Sequence, residues 1–316
     1  MRRKIGSQTS RLLAGLIVVI GLLATMSLPA AAQGSTAVTL EPPGALETFG
    51  RGINNNGDIV GWYRGGGQHG FLLRNGRYTQ IDVPASWSAT GTTALGINDE
   101  GTIVGSYFHE DADGNVHQHG YFLMLHGSFV KFDVPGATDT TPRSISDANV
   151  AGFFLDQSGN LHGFISVMNS GAVTIDFPGA VATQVGSING NGDVTGNYQD
   201  IAGNVHGFVR SSAGAFRSFD VPGATVQPAA TNAWAINDAG HVGGFDATSK
   251  STALNLSEPR ADLHGYVMTA GKFVTVNVPG GINTCIFGLN NAADAVGQYD
   301  TTDGVTHGFY MHLQVQ

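Results

Sequence analysis

The chain has 316 residues, of which 46 are glycine and 41% are hydrophobic, so its length suits one large all-β domain or two smaller domains. Only 12% of the residues are charged, and the formal net charge of -9 at pH 7 argues against a nucleic-acid-binding protein. Glycine does not recur at every third position, which excludes collagen, and the single cysteine, Cys285, excludes a disulfide scaffold.

Residues 1–32 have the pattern of a secretory signal peptide. The basic residues Arg2, Arg3, Lys4 and Arg11 precede an apolar run at 12–28 and the sequence Pro-Ala-Ala-Ala at 29–32. This pattern predicts cleavage after Ala32 and export to the periplasm or the extracellular space. The alternative is an uncleaved membrane anchor, because 17 apolar residues approach the shortest length that spans a bilayer.

Residues 33–316 consist of six repeats of about 45 residues, numbered 1 to 6 here in chain order. Each repeat contains a His-Gly-aromatic triplet, at 69–71, 119–121, 162–164, 206–208, 264–266 and 307–309. An Ile-Asn pair or a relative lies 16 to 28 residues before each triplet, and a segment similar to Asp-Val-Pro-Gly-Ala lies about 15 residues after five of them. The shared spacing predicts a single repeat domain over 33–316.

The pattern within a repeat predicts four short strands. In repeat 2 the strands are expected at 93–97, 102–108, 120–125 and 129–134, with tight turns at 98–101 and 126–127 and a longer loop at 109–118. Glycine and Asn/Asp occupy the turns, where a positive φ is needed. Four strands in each period of 40–45 residues are typical of a propeller blade, so the sequence predicts an all-β, six-bladed β-propeller.

The two ends of the chain predict how the ring closes. Repeat 6 ends at Gln316, just after its expected third strand, whereas residues 37–45 resemble the fourth strand of the other repeats. We therefore expect the N-terminal strand to complete the last blade, since an open array would expose two sheet edges.

The repeats resemble the HAF-repeat family of probable extracellular bacterial repeats. Residues 97–105 read Ile-Asn-Asp-Glu-Gly-Thr-Ile-Val-Gly, and His-Gly-Phe or His-Gly-Tyr replaces the family's His-Ala-Phe. The fourth strand departs from the family, because Asp-Val-Pro-Gly-Ala replaces an Asp-Leu-Gly ending. The resemblance covers residues 36–316 and implies an exported repeat protein, and it brings no catalytic assignment.

The repeated polar residues favour structural roles over metal binding. The six triplet histidines lie on separate repeats and cannot converge on one ion, so we expect each to bond a neighbouring backbone group. The repeated asparagines fit turn positions. Asp111 to Asn115 resembles the start of a calcium loop, but a hairpin turn is favoured because no bidentate Glu ends it. A local metal site between His109 and His117 is the weaker alternative, and the sequence predicts no metal and no cofactor.

Candidate ligand-binding residues depart from the repeat pattern. The two long, variable loop sets should emerge on one face, which carries Trp87, the acidic residues Glu110, Asp111 and Asp113, and an insertion at 247–262. At one position of the channel-lining strands stand Arg51, Arg143 and Trp234, which either form a pocket for an anionic group or pack between blades.

The sequence favours an exported binding module over an enzyme. The expected ligand is extracellular, either a carbohydrate or another surface protein, and the expected protein is a monomer without a membrane span once the signal is cleaved. The alternative is an extracellular hydrolase or lyase with its site at the channel mouth, which would need an acid/base pair such as His109 or His117 with Glu110.

Overall fold

The computed structural model describes residues 36–168, 170–223, 230–247 and 262–314, which form an all-β propeller. Within these ranges the chain forms 24 strands and one short 3-10 helix, Ala85–Trp87. None of the described segments is a helix of the length and hydrophobicity that a membrane crossing requires. The predicted signal peptide and residues 248–261 of the insertion lie outside the described residues.

Each repeat contributes consecutive antiparallel strands. Repeats 1 to 3 each form a four-stranded sheet. The strands of repeat 1 are β2 (Glu47–Ile53), β3 (Ile59–Arg64), β4 (Gln68–Arg74) and β5 (Arg77–Ile81), and those of repeat 2 are β6 (Ala89–Ile97), β7 (Ile103–Glu110), β8 (Val116–Leu123) and β9 (Phe129–Phe132). The strands of repeat 3 are β10 (Asp139–Ser146), β11 (Asn149–Leu155), β12 (Leu161–Val167) and β13 (Ala172–Ile175). Repeat 4 contributes β14 (Ala182–Ile188), β15 (Val194–Gln199), β16 (Val205–Arg210) and β17 (Phe216–Phe219). Repeat 5 contributes β18 (Ala230–Ile236), β19 (Val242–Ala247), β20 (Leu263–Thr269) and β21 (Lys272–Val276). Repeat 6 contributes β22 (Ile282–Leu289), β23 (Asp294–Asp300) and β24 (Thr306–His312).

The sheets number five, whereas the sequence predicted six separate blades. Four sheets have four strands each, and the strands of repeats 4 and 5 share one sheet of eight. A single parallel pair, Val205 with Ala230, joins the two halves of that sheet. The difference arises because β16 and β18 approach closely enough for one bridge between neighbouring repeats.

The N-terminal strand β1 (Val38–Leu40) is the outer strand of the sheet of repeat 6. It pairs antiparallel with β24, with Val38 opposite Tyr310 and Leu40 opposite Gly308. Leu40 is 2% exposed, so its side chain belongs to the core. The N-terminal strand β1 thus completes the sheet of repeat 6, as the sequence predicted.

The first strand of each repeat is the innermost strand of its sheet. The strands β2, β6, β10, β14, β18 and β22 contact one another in that order, and β22 also contacts β2. The six strands therefore surround a central channel. The turn after each first strand and the loop after each second strand lie at opposite ends of this channel.

The triplet aromatic residues form the core between neighbouring sheets. All six are at most 1% exposed: Phe71, Tyr121, Phe164, Phe208, Tyr266 and Phe309. The preceding glycine is required by close approach, since a Cβ at Gly163 would lie 2.7 Å from the carbonyl oxygen of Ile175 and 2.7 Å from a methyl carbon of Val185. The triplet therefore combines a buried ring with a position where no side chain fits.

Candidate functional site

The repeated asparagines link the turns of neighbouring repeats at one end of the channel. As expected, their Oδ1 atoms accept hydrogen bonds from local backbone N–H groups. For example, the N–H of Asp58 donates to Asn54 Oδ1 at 2.8 Å. Their Nδ2 groups also donate to a carbonyl oxygen of the next repeat, which the sequence did not predict. These bonds run from Asn54 to Asn98, Asn98 to Asp147, Asn189 to Asn237, Asn237 to Asn290 and Asn290 to Asn54.

The triplet histidines bond carboxylates, so our expectation of a backbone partner was wrong. In repeats 1 to 4 the Nδ1 atom lies 2.8–3.1 Å from an Asp just beyond the fourth strand, in the pairs His69–Asp82, His119–Asp133, His162–Asp176 and His206–Asp220. The imidazole also packs on an aromatic ring of the second strand, as His206 does on Tyr198 with 5.0 Å between ring centroids. The side chains of adjacent strands on one face are neighbours, which places the carboxylate within reach.

Arg51, Arg143 and Trp234 do come together inside the channel. With Leu95 and Phe287, which occupy the same position of their strands, they form what we call the channel layer. Arg51, Arg143 and Trp234 are 6%, 9% and 5% exposed, respectively. The layer therefore places two guanidinium groups and two aromatic rings in a mostly buried position.

The two arginines have different surroundings. The Nη1 group of Arg51 donates to Oε1 of Gln298 at 2.9 Å, and its guanidinium lies over the Phe287 ring at 4.0 Å. The guanidinium of Arg143 lies 4.6 Å from the Trp234 ring centroid, and its Nε has no hydrogen-bond partner among the described residues. Burial lowers the pKa of Arg143 to about 10, so it stays charged at neutral pH.

Several buried N–H donors in and around the channel layer lack an acceptor within the described residues. They are Arg143 Nε, Trp234 Nε1, Asn232 Nδ2 and Gln298 Nε2. A buried donor without an acceptor costs about 1–3 kcal/mol, so such groups are uncommon where structure alone is at stake. The Oδ1 atom of Asn232 is a buried acceptor that also has no partner there, so this region holds buried polar atoms of both kinds that the described residues do not satisfy.

A cavity of about 260 Å³ lies on the loop side of the channel layer, and we call it the loop-side cup. Aromatic rings, side-chain amides and threonines from four repeats surround it, together with the channel layer. Its lining residues are Arg51, Trp62, Thr93, Leu95, Phe108, Gln118, Thr141, Arg143, Phe153, Gln184, Trp234 and Phe287. A largely apolar cup with a few convergent polar groups is the usual form of a small-molecule site.

A second cavity of about 220 Å³ lies on the other side of the channel layer, among the asparagine turns. We call it the turn-side cavity. Arg51 and Arg143 line it as well, and its lining includes the acidic residues Asp99, Asp147 and Asp238. The loop-side cup has no acidic residue in its lining, so the two ends of the channel differ in charge.

Trp87 and the acidic loop lie apart from the channel residues. Trp87 packs on Tyr107 and Phe129, with ring centroids 5.0 and 6.1 Å away, and Lys131 Nζ lies 5.1 Å from its ring. It lines neither channel cavity. Glu110 and Asp113 are exposed at the loop. The structure therefore joins Arg51, Arg143 and Trp234, and leaves the other four predicted site residues outside that group.

Asp111 is engaged by its own loop. Its Oδ1 accepts the backbone N–H groups of Asp113 and Asn115, and its Oδ2 accepts from Asn115 Nδ2 and lies 3.3 Å from His117 Nε2. These hydrogen bonds hold the pKa of Asp111 at about 2. The geometry is that of the hairpin turn, and no group of three or more potential ligands suited to a metal occurs in the described ranges.

The acid/base pair considered for the enzyme alternative takes another form. His117 interacts with Asp111 rather than with Glu110, and the His109 ring lies 6.2 Å from that of His119. In repeat 5, Asp246 is directly opposite His264, both line a cavity of about 640 Å³, and burial raises the pKa of Asp246. This juxtaposition was not predicted.

The aromatic and amide lining of the loop-side cup was not predicted from the sequence. One sequence position nevertheless indicated part of this lining, namely the residue that follows the repeated glycine of the second strand. That position holds Trp62, Ser106, Phe153, Asn197, Phe245 and Gln298, and its side chains vary from ring to amide while the glycine recurs. Trp62 and Phe153 at this position line the cup, and variation at one position of a regular scaffold is a sign of a binding surface.

Comparisons with known proteins show the fold. No protein-family model and no curated protein match the chain. Among solved structures the chain is similar to AofleA from Arthrobotrys oligospora, with 12% identity, 90% of each chain covered and a TM-score of 0.53. A mutant of AofleA with three arginines replaced by alanine gives 13% identity, the same coverage and a TM-score of 0.51. A mutant of Aleuria aurantia lectin gives 8% identity over 87% of this chain and 91% of that chain, with a TM-score of 0.49. At these identities the likeness concerns the all-β propeller fold alone.

Proposed function

We propose that this chain is an exported β-propeller of the HAF-repeat type that binds a small extracellular ligand in the loop-side cup. Export rests on the signal-peptide pattern of residues 1–32, and the repeat family rests on the Ile-Asn and His-Gly-aromatic motifs. The proposed protein is a monomer with a single domain over 33–316.

The proposed propeller has six blades. The eight-stranded sheet counts as two blades in this proposal, because one residue pair is all that joins its halves. The six first strands contact one another in sequence and return from β22 to β2, which supports a ring of six four-stranded units.

The observation that carries the binding function is the lining of the loop-side cup. Side chains from all six repeats converge there, and they combine the rings of Trp62, Phe108 and Phe153 with the amides of Gln118 and Gln184. Rings provide apolar contact and stacking, while amides and threonines provide directional hydrogen bonds. A carbohydrate or another small polar ring compound has both kinds of surface.

A thermal-shift screen tests this function. The mature protein is heated with a library of sugars, sugar acids and aromatic acids, and a ligand of the native state raises the Tm. We expect Phe108→Ala to remove the shift of a true ligand, because Phe108 lines the cup, and Trp87→Ala to preserve it. Shifts that survive Phe108→Ala and disappear with Trp87→Ala would move the site to the outer loops.

A hydrolase or lyase is the second candidate, and Asp246 opposite His264 is the observation that favours it. A carboxyl group of raised pKa beside an imidazole is a typical general acid/base arrangement. Turnover of generic ester or glycoside substrates that disappears in Asp246→Asn, and persists in Phe108→Ala, would favour the enzyme.

A further inference from the structure

The two ends of the channel differ in the charge that they offer to a ligand. The turn-side cavity has Asp99, Asp147 and Asp238 in its lining, whereas the loop-side cup has two arginines and no acid. The whole chain carries a net charge of -9. The cup is therefore a positively charged site in an acidic protein, and an anion meets less repulsion on its loop side.

Arg143 has donors to offer in this cup. Its guanidinium face is occupied by the Trp234 ring, 4.6 Å away, but the N–H groups of a guanidinium point outward in its own plane. Among the described residues no acidic side chain pairs with it, and its Nε has no hydrogen-bond partner. The adjacent Trp234 Nε1 is a second buried donor without an acceptor there. Arg51 differs, because it donates to Gln298.

We propose that the ligand of the loop-side cup carries a carboxylate on a ring, and that the carboxylate is bound by the Nη groups of the Arg143 guanidinium. This inference rests on the proposed binding function and specifies its ligand class. A guanidinium binds a carboxylate through two parallel, charge-assisted hydrogen bonds, which are among the stronger polar contacts in proteins.

The remainder of the cup suits the ring. Trp62, Phe108 and Phe153 supply aromatic surface, and Gln118 and Gln184 supply amides for ring substituents. The cavity of about 260 Å³ has room for one six-membered ring with its carboxylate. Aromatic acids and sugar acids share this chemistry, and separate arms of the test distinguish them.

Calorimetric titration of the mature protein tests the proposal with four probes. Benzoate and glucuronate carry a carboxylate on a ring, and benzamide and glucose are their neutral counterparts. We expect at least one carboxylate to bind about tenfold or more tightly than its counterpart, since charge-assisted bonds replace neutral ones. The benzoate and glucuronate arms show which kind of ring the cup accepts.

Two variants assign the preference to Arg143. Arg143→Met keeps an apolar stem and should abolish the preference for the carboxylate, whereas Arg217→Met removes one exposed positive charge on β17 and should preserve it. Gln118→Glu leaves Arg143 in place and adds a carboxylate to the cup, so it should also abolish the preference. Gln118→Glu therefore provides the test if the Arg143→Met variant does not fold.

The outcomes separate this inference from the proposed function. A carboxylate preference that persists in Arg143→Met, or in Gln118→Glu, overturns the inference. Binding of neutral compounds alone, among these probes or in the thermal-shift library, also overturns it and leaves the binding function standing. If no probe and no library compound binds, both proposals fail.

Discussion

At the scale of single residues, the repeated polar side chains and those that depart from the repeat differ in whether the protein itself satisfies them. Asp111, Asp156 and Asp200 occupy equivalent loops, and each accepts hydrogen bonds from the Asn four residues later. These hydrogen bonds satisfy the carboxylates within the loop. Arg143 is buried and retains donors without an acceptor among the described residues. Repetition therefore marks structural residues, and departure from repetition marks the candidate site.

The loop aspartates predict a pH dependence of stability. Hydrogen bonds from Asn160 hold the pKa of Asp156 at about 2, below the ordinary 3.8. Because the folded pKa is depressed, the stabilisation is fully present above about pH 4 and is lost as the pH falls toward 2. Asp156→Asn should lower the Tm at pH 7, and this deficit should shrink as the pH falls through 2.

The control for this prediction is Asp113→Asn. The carboxylate of Asp113 is exposed and accepts no hydrogen bond from another residue in the described part of the chain. Its variant should follow the wild-type Tm at every pH. An Asp156→Asn variant whose Tm deficit is the same at pH 7 and pH 2 would contradict the assigned role of the charge.

At the scale of the element, the tight turn after each first strand connects neighbouring sheets as well as two strands. An asparagine caps its own turn with Oδ1 and donates to the next repeat with Nδ2 in repeats 1, 2, 4, 5 and 6. Repeat 3 has Ser146 at this position, which is too short to reach. The turns therefore hold neighbouring first strands together around the channel, into which the side chains of the channel layer project.

Removing one of these turn asparagines should destabilise the whole protein. Asn290 is 4% exposed and bonds Asn54 across the junction of the last and first repeats, so Asn290→Ala leaves buried polar groups without partners. We expect a loss of about 1–3 kcal/mol in the free energy of unfolding, measured by urea denaturation. Ser146→Ala is the matched control and should cost little, because no hydrogen bond of the Ser146 side chain occurs among the described residues. Equal losses in both variants would mean that the inter-repeat bonds contribute nothing.

At the scale of the whole molecule, a strand of three residues joins the two ends of the chain. Leu40 is 2% exposed and lies in the core, whereas Val38 of the same strand is 53% exposed. Leu40→Ala should reduce the free energy of unfolding by about 2–5 kcal/mol, and Val38→Ala by much less. Chemical denaturation of the two variants measures the difference. Similar stabilities would show that β1 is not an integral part of the folded sheet.

Much of the architecture followed from the sequence because a repeat supplies the same information six times. The four-strand period, the terminal strand and the turn asparagines were visible as recurring residues. The histidine partner and the Val205–Ala230 bridge were not, since both depend on how strands and neighbouring sheets approach one another. The cup residues Trp62 and Phe108 were missed because their convergence is a property of the assembled channel.

The central claim is that ligand binds in the loop-side cup, and the indole N–H signals of the three tryptophans test it most directly. Trp62 and Trp234 line the cup, whereas Trp87 lies outside it. The mature protein is labelled with ¹⁵N-tryptophan, the signals are assigned with single Trp→Phe variants, and the tightest-binding library compound is titrated in. The account predicts saturable shifts of the Trp234 and Trp62 signals with the Trp87 signal unmoved. A shift confined to Trp87, or saturated binding that moves none of the three signals, would contradict it.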